Sequence, residues 1–226
     1  MRLFSTKGKF GFNENVEYVL KAADGKVKKL FQPNTLYQWC IKKGLLPKTL
    51  TNFFLGHYAD KMTISNLITT VGVSGVAARI NGSGSPAAYT YIALGTGTTA
   101  AAAADTTLEN EVTTAGGARA SATASLVTTD TAGDTAQLQY TFSFTEGGTF
   151  ALTESGVLNA ASTGTLLARQ VFSAINVASG DSLQVTLIFG AIIKKFMMYA
   201  TSKLQGHLDN IKLIISRQSA AKSLIY

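Results

Sequence analysis

The chain has 226 residues, 46% of them hydrophobic, with 20 Lys and Arg against 13 Asp and Glu and a formal net charge of +7. A single cysteine, Cys40, excludes an internal disulfide framework and a cysteine-cluster metal site, and the two histidines, His57 and His207, lie in no HExxH or paired-histidine spacing. The longest uncharged apolar run near the C-terminus, 185–193, falls well short of the roughly 20 residues of a membrane-spanning helix, and no signal peptide is expected, so the chain reads as soluble, made in a cytoplasm and without a membrane partner.

The charge is partitioned. Residues 1–61 hold 11 Lys and Arg against 4 Asp and Glu, residues 62–189 hold 3 against 8, and residues 190–226 hold 6 against 1. Such blocks mark segments with different surroundings. A basic flank suits nucleic acid or an acidic protein surface, but lysines that keep two short segments solvated are the favoured reading, so nucleic acid is not a favoured partner.

Taken in order, residues 16–21 and 26–31 are β-like runs separated by Ala22-Ala-Asp-Gly25, and Asp-Gly at that place predicts a hairpin, because glycine supplies the positive φ of a tight turn. Pro33 ends the second run. Asn34 is a candidate N-cap for a helix over 35–43, on which Trp39 and Cys40 fall at core-like spacing. Phe53 and Phe54 lie in an aromatic-rich segment. Residues 62–80 carry apolar residues at spacings of three and four, which predicts an amphipathic helix. The stretch 81–86, Asn-Gly-Ser-Gly-Ser-Pro, is the best candidate boundary.

Beyond it, strands are predicted at 89–94, 119–128, 138–144, 153–159, 165–172 and 183–189, with a helical turn at 105–112. The runs 138–144 and 183–189 alternate large apolar and polar residues, so each buries one face. Short strands with regular turn signals predict a mainly β fold: an antiparallel β-sandwich of jelly-roll or immunoglobulin-like type, preceded by a small α+β unit. The expected division is a hairpin–helix docking unit at 1–61, a helix and Gly/Ser linker at 62–86, the sandwich at 87–189 and a basic docking segment at 190–226. In that last segment Ile193, Met197 and Leu204 begin a heptad-like series that suits a helix, while 211–215 equally suits a strand.

Little in the chain suggests catalysis. Cys40 sits at a core-like position, which weakens a nucleophile–base pair with His57. Gly95-Thr-Gly97 follows a strand but lacks the spacing of a phosphate-binding loop, and Glu109 and Glu111 read as solvated carboxylates. No catalytic residue, cofactor or metal is expected. Within 62–189 the only basic side chains are Arg79, Arg119 and Arg169. Glu154 is expected to pair with Arg119 or with Arg169, and separately solvated charges are the alternative.

Several runs resemble a known module. These are 91–100 (Tyr-Ile-Ala-Leu-Gly-Thr-Gly-Thr-Thr-Ala), 105–112 (Asp-Thr-Thr-Leu-Glu-Asn-Glu-Val), 118–120, 152–162 (Leu-Thr-Glu-Ser-Gly-Val-Leu-Asn-Ala-Ala-Ser), 167–173 (Leu-Ala-Arg-Gln-Val-Phe-Ser) and 176–185. Together they resemble a β-rich module of virion structural proteins of tailed bacteriophages, among them tail-fibre, baseplate and capsid-associated proteins, over about 89–189. The resemblance implies a non-enzymatic virion component, assembled in the host cytoplasm, that binds other virion proteins (portal or neck, tail, or major capsid protein). A tail, neck or fibre-anchoring role is preferred, with capsid decoration (a cement or head-fibre protein) as the alternative. A homo-oligomer is expected, and a trimer suits the heptad-like segment. Candidate docking residues are Trp39, Phe53, Phe54, Ile193, Met197 and Leu204. A host-surface carbohydrate-binding module is a further alternative, with Tyr89, Tyr91 and Tyr140 as its aromatic surface.

Overall fold

In the computed structural model, residues 12–33, 56–84, 86–129 and 132–191 are described. About half of the described residues lie in strands. The candidate docking residues Trp39, Phe53, Phe54, Ile193, Met197 and Leu204, the helix expected over 35–43, Cys40, His207 and the choice of helix or strand at 211–215 all lie outside these residues.

The described elements are β1 (Phe12–Lys21), β2 (Val27–Lys28), β3 (Leu30–Pro33), β4 (Gly56–Ala59), β5 (Met62–Ser65), β6 (Leu67–Ile68), α1 (Thr70–Asn81), β7 (Tyr91–Gly95), β8 (Ala120–Ser121), β9 (Thr123–Val127), β10 (Thr135–Ser143), β11 (Phe150–Leu158), β12 (Leu166–Val177) and β13 (Ser182–Ala191). The protein is mainly β, and its registered strand pairs are antiparallel. A six-stranded sheet runs β2-β1-β13-β10-β9, with β5 also paired to β1. A five-stranded sheet runs β6-β12-β11-β7-β8, and β3 and β4 form a separate pair.

One core serves both larger sheets. Val16, Tyr18 and Leu20 of β1, Leu138 and Phe142 of β10, and Leu183, Val185 and Leu187 of β13 cluster with Ile92 and Leu94 of β7, Leu152 and Val157 of β11, and Phe172, Ile175 and Val177 of β12. Tyr18 is fully buried, and its hydroxyl meets Ser155 Oγ at 2.6 Å, a polar link from one sheet to the other. Burial pushes the Tyr18 hydroxyl pKa up, against the opposing effect of that hydrogen bond.

The hairpin expected at 16–31 is present at its turn, where Val27 and Lys28 pair with Lys21 and Leu20, but the run does not continue on it: Leu30–Pro33 leave to pair with β4. Gly25 takes φ 81° in its turn, and the Ala22 amide donates to the Lys26 carbonyl at 2.8 Å. β1 and β2 belong to the six-stranded sheet, and Lys28 reaches the buried Asp181 in the turn before β13 at 2.6 Å. Residues Glu14–Phe189 form one compact unit, which includes the stretch 81–86 expected as a boundary.

The expected helix over 62–80 is corrected. Residues 62–68 are strands, and the helix begins only after Thr69. Met62 and Ile64 alternate with Thr63 and Ser65, which suits pairing with β1 as well as it suits a helical face. Thr69 is the N-cap, its hydroxyl oxygen accepting from the Gly72 amide at 3.0 Å, and Gly82 closes α1 with a left-handed φ of 72°. A Cβ on Gly72 would stand 2.3 Å from the Leu167 carbonyl, so glycine there lets α1 lie directly against β12.

The single strand expected at 119–128 is also corrected. It breaks at Ala122 into β8, which pairs with β7, and β9, which pairs with β10 in the other sheet. Residues 62–68 make the same change at Asn66, from β5 on β1 to β6 on β12. Strands that switch sheets in this way form corners between packed layers. Finally, residues 105–112 hold no helix. They form a hydrogen-bonded loop with one bridge, Gly95 to Glu111.

Candidate functional site

The outer face of the five-stranded sheet carries a buried charge centre. Its placement begins with an irregularity: β11 and β12 shift register between Leu152 and Glu154. Leu152 and Val157 both enter the shared core although they are five residues apart, so the strand face has flipped between them. Glu154 therefore points away from the core, together with Leu158, which joins a small outer cluster with Ala93, Leu108 and Leu166. Arg169 lies opposite Gly156, two residues along from Glu154, a diagonal distance that a long side chain spans.

Glu154 is fully buried and all its acceptor directions are used. Oε1 accepts from the backbone amides of Asn110 at 2.7 Å and Gly97 at 3.1 Å. Oε2 accepts from Arg169 Nε at 2.8 Å and from the Glu109 amide at 3.1 Å. Arg169, 3% exposed, also donates from Nη1 to Asp105 Oδ2 at 2.8 Å and from Nη2 to Glu109 Oε2 at 3.4 Å. One guanidinium thus faces three carboxylates.

Two glycines make room for this arrangement. A Cβ on either Gly95 or Gly97 would stand 2.5 Å from Glu154 Oε1. Gly156 has the same role for the loop above it, since its Cβ would stand 2.6 Å from Leu108 Cδ1. The loop is further held by Thr96 N donating to Asn110 O at 2.9 Å, Val112 N to Leu94 O at 2.8 Å, and Thr70 N to Ala103 O at 2.7 Å. Residues 96–112 are therefore pinned to the sheet from below and tied to the start of α1.

The electrostatics follow from these contacts. Burial pushes the Asp105 pKa up, but the Ala102 amide and Arg169 outweigh it, and the carboxyl is held below its ordinary value. The Thr99 hydroxyl and amide, aided by Arg169, hold the Glu109 carboxyl below its ordinary value against a smaller effect of burial. For Arg169, burial lowers the pKa, and the bonds to Asp105 and Glu154 overcome this and raise it.

The expected pairing of Glu154 resolves in favour of Arg169. Arg119 instead forks onto Glu111, with Nε to Oε1 at 2.8 Å and Nη2 to Oε2 at 2.6 Å. Its Nη1 also donates to the carbonyls of Ala160 at 3.0 Å and Thr163 at 2.8 Å, which ties the β11–β12 turn to the same loop. Glu111 is thus corrected from a solvated carboxylate to half of a part-buried ion pair, whereas Glu109 is exposed as expected and also reaches Arg169. Their roles, and that of Asp105, were hidden because a loop rather than a strand brings them to the arginines. The cue available was arithmetic: few arginines in an acidic segment, each with several carboxylates to choose from.

An open depression of about 400 Å³ lies over this centre, lined by Thr99, Asp105, Thr106, Thr107, Glu109 and Arg169. Its carboxylates accept from backbone amides, a hydroxyl and a guanidinium, so none is poised as a base. His57 is exposed on β4. Among the described residues no group of three or more His, Cys, Asp and Glu side chains has the arrangement of a metal site, and no helix is long and apolar enough to cross a membrane. What the arrangement does is hold a loop. Its outward side is built largely of small residues: Thr98, Ala102, Ala103, Ala104, Thr106 and Thr107 are exposed, with the Glu109 carboxylate, 41% exposed, among them. Comparison with protein-family models, curated proteins and solved structures finds no match.

Proposed function

We propose that this chain is a non-enzymatic structural component of a tailed-bacteriophage virion, an antiparallel β-sandwich that mediates protein–protein assembly in the tail, neck or fibre-anchoring region. One observation carries the reading. The charged groups of 105–111 and 154–169 are engaged in pinning a threonine- and alanine-rich loop, which leaves a firm surface of small residues with few long side chains to order on contact. The runs behind the resemblance overlap this clasp at 94–99, 105–111, 153–156 and 167–170, while 176–185 lies outside it. A homo-oligomer whose subunits also contact other virion proteins fits this role.

The carbohydrate alternative draws no support from the tyrosines named for it. Tyr89 and Tyr140 are half-buried against the shared core, and Tyr91 is half-buried against the outer cluster. Quantitative mass spectrometry of purified particles, scaled to the major shell protein, tests the role. A few to a few dozen copies is the expected result, hundreds would move the chain to capsid decoration, and absence from the particle overturns the proposal.

A further inference from the structure

At the margin of the six-stranded sheet, β9 pairs with β10 along Thr123–Val127 and has no strand on its outer edge among the described residues. Proteins usually protect such an edge with lysine, proline, a bulge or an inward-pointing charge. Here the sequence from Ala120 to Thr129 contains no charged residue and no proline. Thr123, Ala124, Ser125 and Leu126 are all exposed.

The facing of Leu126 is more telling. It pairs with Ala136, and Ala124 pairs with Leu138. Residues 136, 138 and 142 share one strand face, the face whose Leu138 and Phe142 enter the shared core. Leu126 therefore lies on the core side of its sheet, yet is 73% exposed. The sheet overhangs its own core at this margin, and an apolar side chain waits there uncovered.

We propose that β9 is a homotypic pairing edge, whose occupant is β9 of a second copy of this chain, antiparallel across a two-fold axis centred on Ser125. The strand is self-complementary in that register. Ser125 meets its own copy, Thr123 meets Val127, and Ala124 meets Leu126, so no like charges are opposed and each Leu126 is covered on the core side by the other copy's Ala124. The two six-stranded sheets become continuous. A five-residue edge falls short of the roughly 1,200 Å² of a stable free dimer, so the contact is weak in isolation and gains from being repeated in an assembly. The inference deepens the assembly reading by naming one of its surfaces.

Thiol trapping on the full chain tests it, because directly opposed residues of an antiparallel pair have Cα atoms roughly 4.5–5.5 Å apart, within the Cα range that a disulfide spans. Under mild oxidation Ser125→Cys is expected to give a disulfide-linked dimer as its main product. Ser162→Cys, in an exposed turn, and the unaltered chain with its own Cys40 are expected to give little. Thr123→Cys mixed with Val127→Cys is expected to yield the mixed dimer, while Thr123→Cys alone does not. Adding Leu126→Lys to Ser125→Cys is expected to abolish trapping without loss of the folded circular-dichroism spectrum. A dimer yield from Ser125→Cys no higher than from Ser162→Cys, or one unmoved by Leu126→Lys, overturns the proposal. Failure here with the chain present in particles removes only this edge, whereas trapping by a chain absent from particles removes only the virion role.

Discussion

Replacing Glu154 with Gln keeps the shape of the side chain and tests whether the buried charge centre holds the loop. The carboxylate accepts four hydrogen bonds, two on each oxygen. An amide offers one acceptor oxygen and one NH2 group. If the NH2 takes the Oε1 position it faces the amides of Gly97 and Asn110, and if it takes the Oε2 position it faces Arg169 Nε and the Glu109 amide. Either orientation leaves two buried donors pointing at a third, at about 1–3 kcal/mol each. Arg169 also loses its most deeply buried counter-charge, and breaking a buried pair costs about 3–5 kcal/mol. These costs overlap, so the expected loss is about 3–5 kcal/mol, or a fall in Tm of roughly 6–20 °C for a unit of this size. Urea and thermal unfolding followed by circular dichroism measure it. A double-mutant cycle with Arg169→Met should return a coupling of about 1–3 kcal/mol. A Glu154→Gln loss below about 1 kcal/mol would refute the reasoning, because it would mean that the loop is held without this centre.

Three further outcomes follow from the geometry. The Asp105 and Glu109 carboxyls sit below their ordinary values of 3.8 and 4.5, so the stability they contribute is present above those values and is lost as pH falls through the lower folded ones. Unfolding free energy measured against pH should therefore fall on the acid side, and Asp105→Asn should flatten that limb. Gly97→Ala places a Cβ 2.5 Å from Glu154 Oε1 and should cost about 1–3 kcal/mol in urea unfolding, although alanine is an ordinary loop residue. Tyr18→Phe deletes the hydroxyl that meets Ser155 Oγ at 2.6 Å and should cost about 1–2 kcal/mol; an unchanged denaturation midpoint would mean that this link between the sheets carries no stability.

How far the fold could be read in advance depended on where alternation survives. The runs 138–144 and 183–189 were legible because in each the alternate apolar residues are the buried ones. The hairpin near Asp24-Gly25 was legible because its turn chemistry is local. Glu154 could be paired with an arginine because charges are sparse in its segment. Alternation misleads where a strand changes face or sheet. Glu154 follows a register shift, Ala122 and Asn66 sit where one run serves two sheets, and Met62 with Ile64 fits either period. Asp105, Glu109 and Glu111 were not legible as partners, because loop closure rather than periodicity carries them to Arg169 and Arg119.

The changes of sheet at Ala122 and Asn66 have a mechanical consequence. At each margin, unbroken backbone runs from one sheet into the other, and the Ala122 amide is fastened to Thr90 O at 2.7 Å where it crosses. Two sheets joined only by apolar contact can slide over one another under shear, since such contact has no direction. Here sliding must tear backbone hydrogen bonds on both sides at once. A pull on one sheet is carried by peptide bonds into the other, so the layers yield together or not at all, the behaviour of a strut rather than a hinge.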